Sequence, residues 1–180
     1  MNNTLYEKLK QLSESKQMVS LYLDGDTETF YAGYILGINE DNILFQHITP
    51  YGKYDGYILQ RTSNVCRVGY DELYLKKIEK LHGFEPKKHK PITIQESNLV
   101  VSLLTAAAEN DWIVSLELDK SDLDDVQGYV IKADSDNTIV KQITDEGQYD
   151  GETYFDTYDI TSMECDTQKM QSIKILADVR

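Results

Sequence analysis

Gly52-Lys53-Tyr54-Asp55-Gly56 recurs 95 residues later as Gly147-Gln148-Tyr149-Asp150-Gly151. The same step, without a gap, relates four further pairs of segments: Val19–Leu21 and Val114–Leu116, Gly33-Tyr34 and Gly128-Tyr129, Asp41-Asn42 and Asp136-Asn137, and Ile48-Thr49 and Ile143-Thr144. A repeat of this length is typical of a duplicated structural unit. The sequence therefore predicts two copies of one small domain at residues 1–82 and 96–180, joined by a linker at 83–95.

Composition is that of an ordered globular protein, and the charge is concentrated in the second copy. Hydrophobic residues make up 41% of the chain and charged residues 27%, which argues against disorder. Residues 96–180 carry 19 Asp and Glu against 6 Lys and Arg, whereas residues 1–82 carry 11 against 9. Because nucleic-acid binding depends on cationic side chains that neutralise phosphates, the second copy is unsuited to it.

The sequence shows no pattern of export or of membrane insertion. The first residues lack the basic and then apolar pattern of a signal peptide, and no apolar run approaches the roughly 20 residues of a membrane span. Cys66 and Cys165 do not occupy equivalent positions in the repeat, which excludes a duplicated disulfide framework. We therefore expect a cytoplasmic protein with reduced thiols and no membrane association.

Hydrophobic periodicity predicts the same element order in each copy, namely a helix, five short strands and a closing helix. The elements predicted in the first copy are a helix at 4–16, strands at 18–24, 30–38, 43–49, 57–61 and 65–68, and a helix capped by Asp71. Those predicted in the second copy are a helix opened by the capping box Thr93-x-x-Glu96, strands at 112–119, 126–134, 138–144, 152–156 and 159–163, and a helix at 166–177. Five short strands favour a closed barrel, because closure leaves no unpaired edge.

Part of this pattern resembles a known family. Val19-x-Leu21-x-Leu23-x-Gly25, followed by Phe30-x-x-Gly33-x-Ile35 and Asn42-Ile43-Leu44, is similar to the first sequence motif of Sm and LSm proteins. The resemblance covers residues 4–70 and, more faintly, 99–165. That family has an N-terminal helix and a five-stranded barrel, usually assembles into rings and binds RNA. The resemblance implies a mainly β fold with flanking helices: two tandem Sm-like (SH3-like) barrels that form a pseudo-dimer within one chain.

Two loops that hold RNA in that family differ here. In the second hairpin, the family's Asp and Asn lie one residue farther apart than Asn39 and Asn42 do. The family's Arg-Gly pair in the last hairpin is replaced by Arg67-Val68-Gly69 in the first copy and by Ser162-Met163-Glu164 in the second. These differences disfavour RNA binding and leave the barrel prediction unchanged.

The repeated block and the tyrosines are the candidate binding residues. Gly, Asp and Tyr in such a block serve either as turn chemistry or as a paired recognition loop, and we favour turn chemistry because a duplicated fold must keep its turns. Nine of the thirteen tyrosines lie in the first copy. Exposed tyrosines are typical of binding surfaces, but tyrosine is also common in strands, and we favour a core or strand role over a binding face. The candidate binding residues are Tyr51, Tyr54, Asp55, Tyr57, Tyr149 and Asp150.

No catalytic or metal-binding motif is recognisable in the sequence. His47, His82 and His89 are scattered along the chain, and no cysteine pair accompanies them. The segment Asp119-x-x-Asp122-x-Asp124-Asp125 lacks the glycine and distal glutamate of a helix–loop–helix calcium site, so we expect a solvated acidic hairpin. The basic patch Lys87–Lys90 is interpreted as linker solvation. We expect neither a metal nor a cofactor.

These observations favour a non-enzymatic binding or adaptor protein with a protein partner. The tyrosine-rich loops of the first copy would form the binding face, and the acidic second copy would select a basic partner. An RNA-associated, LSm-like protein is the alternative, and it would require six cationic side chains on one face: Lys53, Arg61, Arg67, Lys76, Lys77 and Lys80. A third hypothesis is a small-ligand protein or enzyme whose site, in a cleft between the barrels, would bring Asp55 and Asp150 together.

Overall fold

The computed structural model describes residues 3–23, 26, 28–119 and 126–179. The chain divides into two compact units, Met1–Pro91 (unit 1) and Ile92–Arg180 (unit 2). Residues 83–91 of the predicted linker thus belong to unit 1, and residues 92–95 belong to unit 2.

Unit 1 consists of a helix, five antiparallel strands and a second helix. Its elements are α1 (Asn3–Glu14), β1 (Val19–Leu23), β2 (Tyr31–Ile38), β3 (Asn42–Ile48), β4 (Tyr54–Arg61), a 3-10 turn (Thr62–Asn64), β5 (Val65–Tyr70) and α2 (Leu73–Gly83). The strand order is β5-β1-β2-β3-β4, and every neighbouring pair is antiparallel.

Unit 2 repeats this plan. Its elements are α3 (Leu99–Glu109), β6 (Ile113–Leu118), β7 (Val126–Ala133), β8 (Asn137–Ile143), β9 (Tyr149–Asp156), a 3-10 turn (Thr157–Asp159), β10 (Ile160–Cys165) and α4 (Gln168–Asp178). The strand order is β10-β6-β7-β8-β9, equivalent to that of unit 1. From β2 to α2, every element has the bounds of its counterpart shifted by 95 residues. The prediction of a mainly β fold with flanking helices is confirmed.

The predicted barrel closure is not observed, since each unit is an open five-stranded sheet. Within the described residues, no hydrogen-bonded pairing joins β4 to β5 or β9 to β10. In unit 1, β5 pairs with β1 along its whole length, from Val65 to Tyr70. Only the turn Thr62–Asn64 separates β5 from β4. Because four residues span at most about 14 Å, the sheet must curl to bring its two outer strands together at this turn, although no ladder closes it.

Both faces of the sheet in unit 1 are covered by helices. One cluster of buried residues packs α1 on the sheet: Leu9, Leu12, Val19, Leu21, Ile35, Ile43, Phe45, Ile58 and Val65. A second packs α2: Met18, Ala32, Ile48, Leu75 and Ile78. In unit 2 the α4 cluster lies at residues equivalent to four of these five: Ile113, Ile143, Met170 and Ile173. No helix in the described part of the chain has the length and apolarity that a bilayer crossing requires.

A repeated glycine permits close contact between neighbouring strands in each unit. A Cβ added to Gly33 would lie 1.8 Å from the carbonyl oxygen of Gln46, and one added to Gly128 would lie 2.0 Å from that of Lys141. Both distances are much shorter than a van der Waals contact, so neither position can accept a Cβ atom without movement of the strands. The pair Gly33 and Gly128 is therefore explained by backbone packing alone.

The predicted start of the second helix is wrong. Helix α3 begins at Leu99, and the Asn98 side chain caps it by accepting a hydrogen bond from the Val101 N–H at 3.0 Å. Thr93 is exposed and lies outside the helix. Asparagine is at least as good an N-cap as threonine, and Asn98 immediately precedes the apolar run. The helix therefore begins after Asn98 and not at the predicted capping box Thr93-x-x-Glu96.

We expect the Gly33→Ala substitution to destabilise the protein by about 1–3 kcal/mol, because the strands must separate to accommodate the methyl group. Urea unfolding followed by far-UV circular dichroism measures this change. Gly83→Ala is the matched control, since nothing lies within 4 Å of a Cβ added there, and it should leave stability unchanged or raise it by up to ~1 kcal/mol. Equal losses in the two variants would contradict the packing argument.

We expect Asn98→Ala to cost about 1 kcal/mol, because the Val101 N–H loses its capping acceptor. Thr93→Ala should be neutral in the same unfolding experiment. A larger loss of stability for Thr93→Ala than for Asn98→Ala would contradict this assignment and indicate that α3 begins at the capping box Thr93-x-x-Glu96.

Candidate functional site

The tyrosine and aspartate of the repeated block lie in a strand, at a β-bulge, and not in a turn. The register of β3 against β4 shifts between Gln46 and Ile48, so that Asp55 and Gly56 lie together opposite His47. Gly56 has a φ of +70°, a backbone conformation that glycine adopts without strain. Bulges re-aim side chains, and here the Asp55 carboxylate is directed at the residue across the strand.

The turn itself lies just before the bulge and packs against α2. The Thr49 N–H donates to the Lys53 carbonyl at 2.9 Å, and the Gly52 N–H donates to the Thr49 carbonyl at 2.8 Å. Gly52 has a φ of +76°, and a Cβ there would lie 2.5 Å from the Cβ of Leu81. Gly147 has a φ of +74°. The turn interpretation of the block therefore holds for its first glycine and not for its tyrosine and aspartate.

His47 and Asp55 form a half-buried pair. The Nδ1 atom of His47 lies 3.1 Å from Oδ2 of Asp55, and the two side chains are 16% and 19% exposed. The edge of the imidazole meets the Tyr31 ring, with the centroids 5.3 Å apart. A carboxylate at Nδ1 sets the orientation and tautomer of an imidazole, so the bulge holds His47 in a defined position.

Residues 84–91, here called the strap, lie along β4 and cover two of the predicted site residues. Nε2 of His89 lies 2.9 Å from the carbonyl oxygen of Gly56. The His89 ring centroid is 4.3 Å from that of Tyr54 and 5.2 Å from that of Tyr57. The Tyr57 hydroxyl donates to the Lys90 carbonyl. Tyr54 and Tyr57 are buried as a result, with exposures of 4% and 0%.

The strap also contacts the C-terminal end of α2. The Lys88 Nζ atom donates to the His82 carbonyl at 2.5 Å, and the Lys87 ammonium lies 4.5 Å from the centroid of the Tyr54 ring. His82 places its Nδ1 atom 2.9 Å from the Gly52 carbonyl oxygen. The strap is thus fastened to β4 and to α2 at once.

All three histidines of the chain therefore converge on one end of unit 1, which corrects the expectation that they are scattered. The centroids of His82 and His89 are 6.1 Å apart, and the backbone of His47 is hydrogen-bonded to the His89 ring. Within the described residues, no group of three His, Cys, Asp or Glu side chains has the geometry to hold a metal ion. Sequence spacing missed the cluster because the strap folds back onto β4.

The environment of His89 keeps its ring neutral. The pKa of His89 is lowered from 6.5 to about 4, mainly by burial. Positive charge on His82 or His47 contributes to the lowering, whereas hydrogen bonds to the Gly56 and His47 backbone act in the opposite direction. Burial is the largest of these influences. At neutral pH the uncharged ring donates from Nε2 to the Gly56 carbonyl, the pattern expected of a neutral imidazole.

Unit 2 has the same bulge in a different chemical setting. The register of β8 against β9 shifts between Lys141 and Ile143, so Asp150 and its following glycine lie opposite Gln142. Gln142 takes the place of His47. A groove of about 480 Å³ opens at this bulge, lined by Ser115, Gln127, Gln142, Ile143, Thr144, Asp145, Asp150 and Lys169.

Polar groups of both signs line this groove. The Lys169 ammonium lies 3.5 Å from Oδ1 of Asp145. The Gln127 amide donates to the Ile143 carbonyl at 3.0 Å and to Oδ1 of Asp145 at 3.3 Å. Asp150 is exposed. Carboxylates, amides and hydroxyls in one concavity suit an ammonium or guanidinium group, which only donates hydrogen bonds.

The structure distributes the predicted site residues among four settings. Tyr51 and Tyr149 are 79% and 60% exposed, and their binding role stays a prediction. Tyr54 and Tyr57 are strand residues buried beneath the strap, in agreement with the strand role favoured for the tyrosines, and they form no exposed face in this structure. The physical reason is that the His89 ring packs against both of their rings. Asp55 is paired with His47, while Asp150 lines the groove of unit 2.

The two cysteines are both free. Cys66 is exposed, and Cys165 is buried. Burial raises the pKa of the Cys165 thiol well above its ordinary value, so this thiol is protonated and unreactive at neutral pH.

Two predicted features fall outside the described residues. The acidic hairpin lies there from Lys120 to Asp125, as does Gly25 of the Sm-like motif. No protein-family model matches this chain, and no curated protein matches it either. Function is therefore inferred from the geometry of the two bulges.

We expect Asp55→Ala to destabilise the protein by about 1–2 kcal/mol, because the half-buried His47 ring loses a charged hydrogen-bond partner. Asp150→Ala is the matched control at the equivalent bulge position, and it should change stability by less than ~0.5 kcal/mol since its side chain is exposed. Urea unfolding at pH 7.5 measures both. Equal effects would show that the two bulges are energetically equivalent, which contradicts the contrast between them.

Proposed function

We propose that the protein is a non-enzymatic adaptor whose second unit binds a basic segment of a partner protein. The observation that carries this proposal is the groove at the bulge of unit 2, where Asp145 and Asp150 lie in a unit with a large excess of negative charge. The proposed ligand is a segment rich in lysine or arginine.

The charge of unit 2 supports attraction at a distance, and the groove supports recognition at contact. An excess of carboxylates raises the rate at which a cationic partner arrives. At the groove, the Lys169 ammonium lies 3.5 Å from Asp145, a pairing of ammonium with carboxylate that supports recognition of a basic side chain. Asp150, together with the oxygen of the Gln142 amide, supplies acceptors for a second cation.

We further propose that each unit is a variant of an Sm-like barrel that is curled but not closed. Support comes from the N-terminal helix, the five antiparallel strands and the three-residue turn that brings the outer strands together. A cytoplasmic location belongs to the same proposal and is supported by the two free thiols.

Contacts of the basic residues favour a protein partner over RNA. The Lys76 ammonium pairs with Asp71 at 2.6 Å. The Arg67 guanidinium lies 4.5 Å from the centroid of the Tyr22 ring, and Lys77 contacts Tyr74 in the same way. Three of the six cations that RNA binding would require are thus engaged within unit 1, which weakens the LSm-like alternative.

A direct titration tests the proposal. The full chain is titrated against a fluorescein-labelled peptide of alternating lysine and serine, its glutamate–serine counterpart and a twelve-nucleotide uridine RNA. We expect the lysine peptide alone to bind, with an affinity that falls as salt is added. The double variant Asp145→Asn/Asp150→Asn should weaken binding about tenfold, the equivalent of ~1.4 kcal/mol.

A charge-matched variant separates the groove from the overall charge of unit 2. Glu152→Gln/Asp156→Asn removes two exposed carboxylates of β9 that do not line the groove, and it should weaken binding less than threefold. Equal losses of affinity in the two double variants would indicate that binding depends only on the net charge of unit 2, and this result would overturn the groove proposal. Tighter binding of the RNA than of the lysine peptide would replace the adaptor with the LSm-like alternative.

A further inference from the structure

We propose that the strap, residues 84–91, is an acid-releasable cover of strand β4, docked while the His89 ring is neutral and released when that ring gains a proton. This inference concerns unit 1 and does not depend on the adaptor function proposed for unit 2.

The geometry makes His89 central to docking. Its Nε2 atom is hydrogen-bonded to Gly56, and its ring packs against Tyr54 and Tyr57. The neighbouring contacts, from the Tyr57 hydroxyl to the Lys90 carbonyl and from Lys87 to the Tyr54 ring, involve strap residues that precede and follow His89 in the sequence. Displacement of the ring therefore weakens every contact between the strap and β4.

The surroundings of His89 disfavour a positive charge there. His82 on α2 and His47 on β3 both face the ring. The strap itself contributes the cations Lys87, Lys88 and Lys90 and one carboxylate, Glu85, which accepts the Lys87 backbone N–H at 3.3 Å.

The carboxylate on the facing strand is already engaged. Asp55 of β4 is paired with the His47 imidazole at 3.1 Å, so its negative charge is shared with that ring. A protonated His89 would consequently be a half-buried cation beside the imidazoles of His82 and His47. Buried charges are tolerated only when they are paired, which is why protonation favours release.

The sign of the pH dependence follows from linkage. The docked ring has a pKa of about 4 and an undocked one the ordinary value of 6.5, so the released state binds more protons. Docking of the strap has its full strength well above pH 6.5. Between pH 6.5 and pH 4 the docking equilibrium constant falls about tenfold for each pH unit. Over that window the docking equilibrium falls by roughly two orders of magnitude.

Release would uncover an aromatic surface. The Tyr54 ring would lose its contacts with His89 and Lys87, and the Tyr57 hydroxyl would lose its acceptor on the strap. Tyr51, already exposed, lies in the turn that precedes them. Acidification therefore creates the tyrosine face that the neutral protein keeps covered.

Nuclear magnetic resonance of the full chain between pH 7.5 and pH 4 tests this proposal. The readouts are the backbone amide shifts of the strap and the Cε1 proton shift of the His89 ring. We expect the strap amides to move toward random-coil values as the His89 ring titrates, while the amides of β2 (Tyr31–Ile38) stay in place and exclude unfolding of unit 1.

Two glutamine variants make the test specific. His89→Gln retains an amide that can donate to Gly56 but takes up no proton, so its strap should stay docked throughout the range. His82→Gln is the matched control and should still release, at a slightly lower pH, because loss of a nearby positive charge makes a protonated His89 easier to hold in the docked state. Should the His89→Gln strap already be undocked at pH 7.5, the wild-type titration decides.

Two results would overturn the inference. One is a wild-type strap whose amide shifts do not follow the titration of the His89 ring. The other is a docked His89→Gln strap that is released over the same pH range as the wild type.

Discussion

The β-bulge in the fourth strand of each unit is the constraint on which both candidate sites depend. In unit 1 it sets Asp55 and Gly56 against the single residue His47, and Gly56 supplies the positive φ of +70°. The carboxylate is thereby aimed across the strand, and the Gly56 carbonyl is turned to accept from His89. A regular strand would alternate these groups between faces, and neither contact would form.

The β-bulge occurs in both units, whereas the side chains around it differ. Glycines in left-handed conformation occur at equivalent positions, Gly52 with Gly147 and Gly56 with Gly151. Backbone conformation is thus the same in both units. The residue opposite the bulge is His47 in unit 1 and Gln142 in unit 2. The same backbone therefore places an imidazole there in one unit and an amide in the other.

In unit 1 the bulge is closed by a segment of the chain itself. The strap brings a neutral imidazole onto two tyrosines and excludes water from them. In unit 2 the equivalent aspartate lies in an open polar groove with Lys169 at its side. We propose that the first arrangement responds to protons through His89 and that the second binds a cationic side chain.

Much of the fold could be predicted from local sequence, because the step of 95 residues and the alternation of apolar residues are local or periodic signals. The bounds of β2, predicted at 30–38 and found at Tyr31–Ile38, show how far such signals reach. The start of β4 was missed, since Tyr54 to Gly56 carry turn residues. Only pairing with β3 shows that these residues belong to a bulged strand.

The candidate site could be predicted only in part. The repeat identifies Asp55 and Asp150. It does not identify His47, which strand pairing places opposite Asp55, or His89, which reaches Tyr54 only because the strap folds back onto β4. Barrel closure was also predicted and is absent. It depends on whether β5 finds a hydrogen-bonding partner on both sides, which local propensity does not encode.

The amino-acid sequence by itself determined the duplication, the order of helices and strands, the acidic character of unit 2 and the positions of the essential glycines. These properties depend on composition, periodicity and single-residue conformational limits. Tertiary structure alone decided that the sheets stay open, that three histidines meet, that Tyr54 and Tyr57 are covered, and that Asp150 faces a groove. Each of these depends on contacts between residues distant along the chain, and such contacts form only once the backbone has folded.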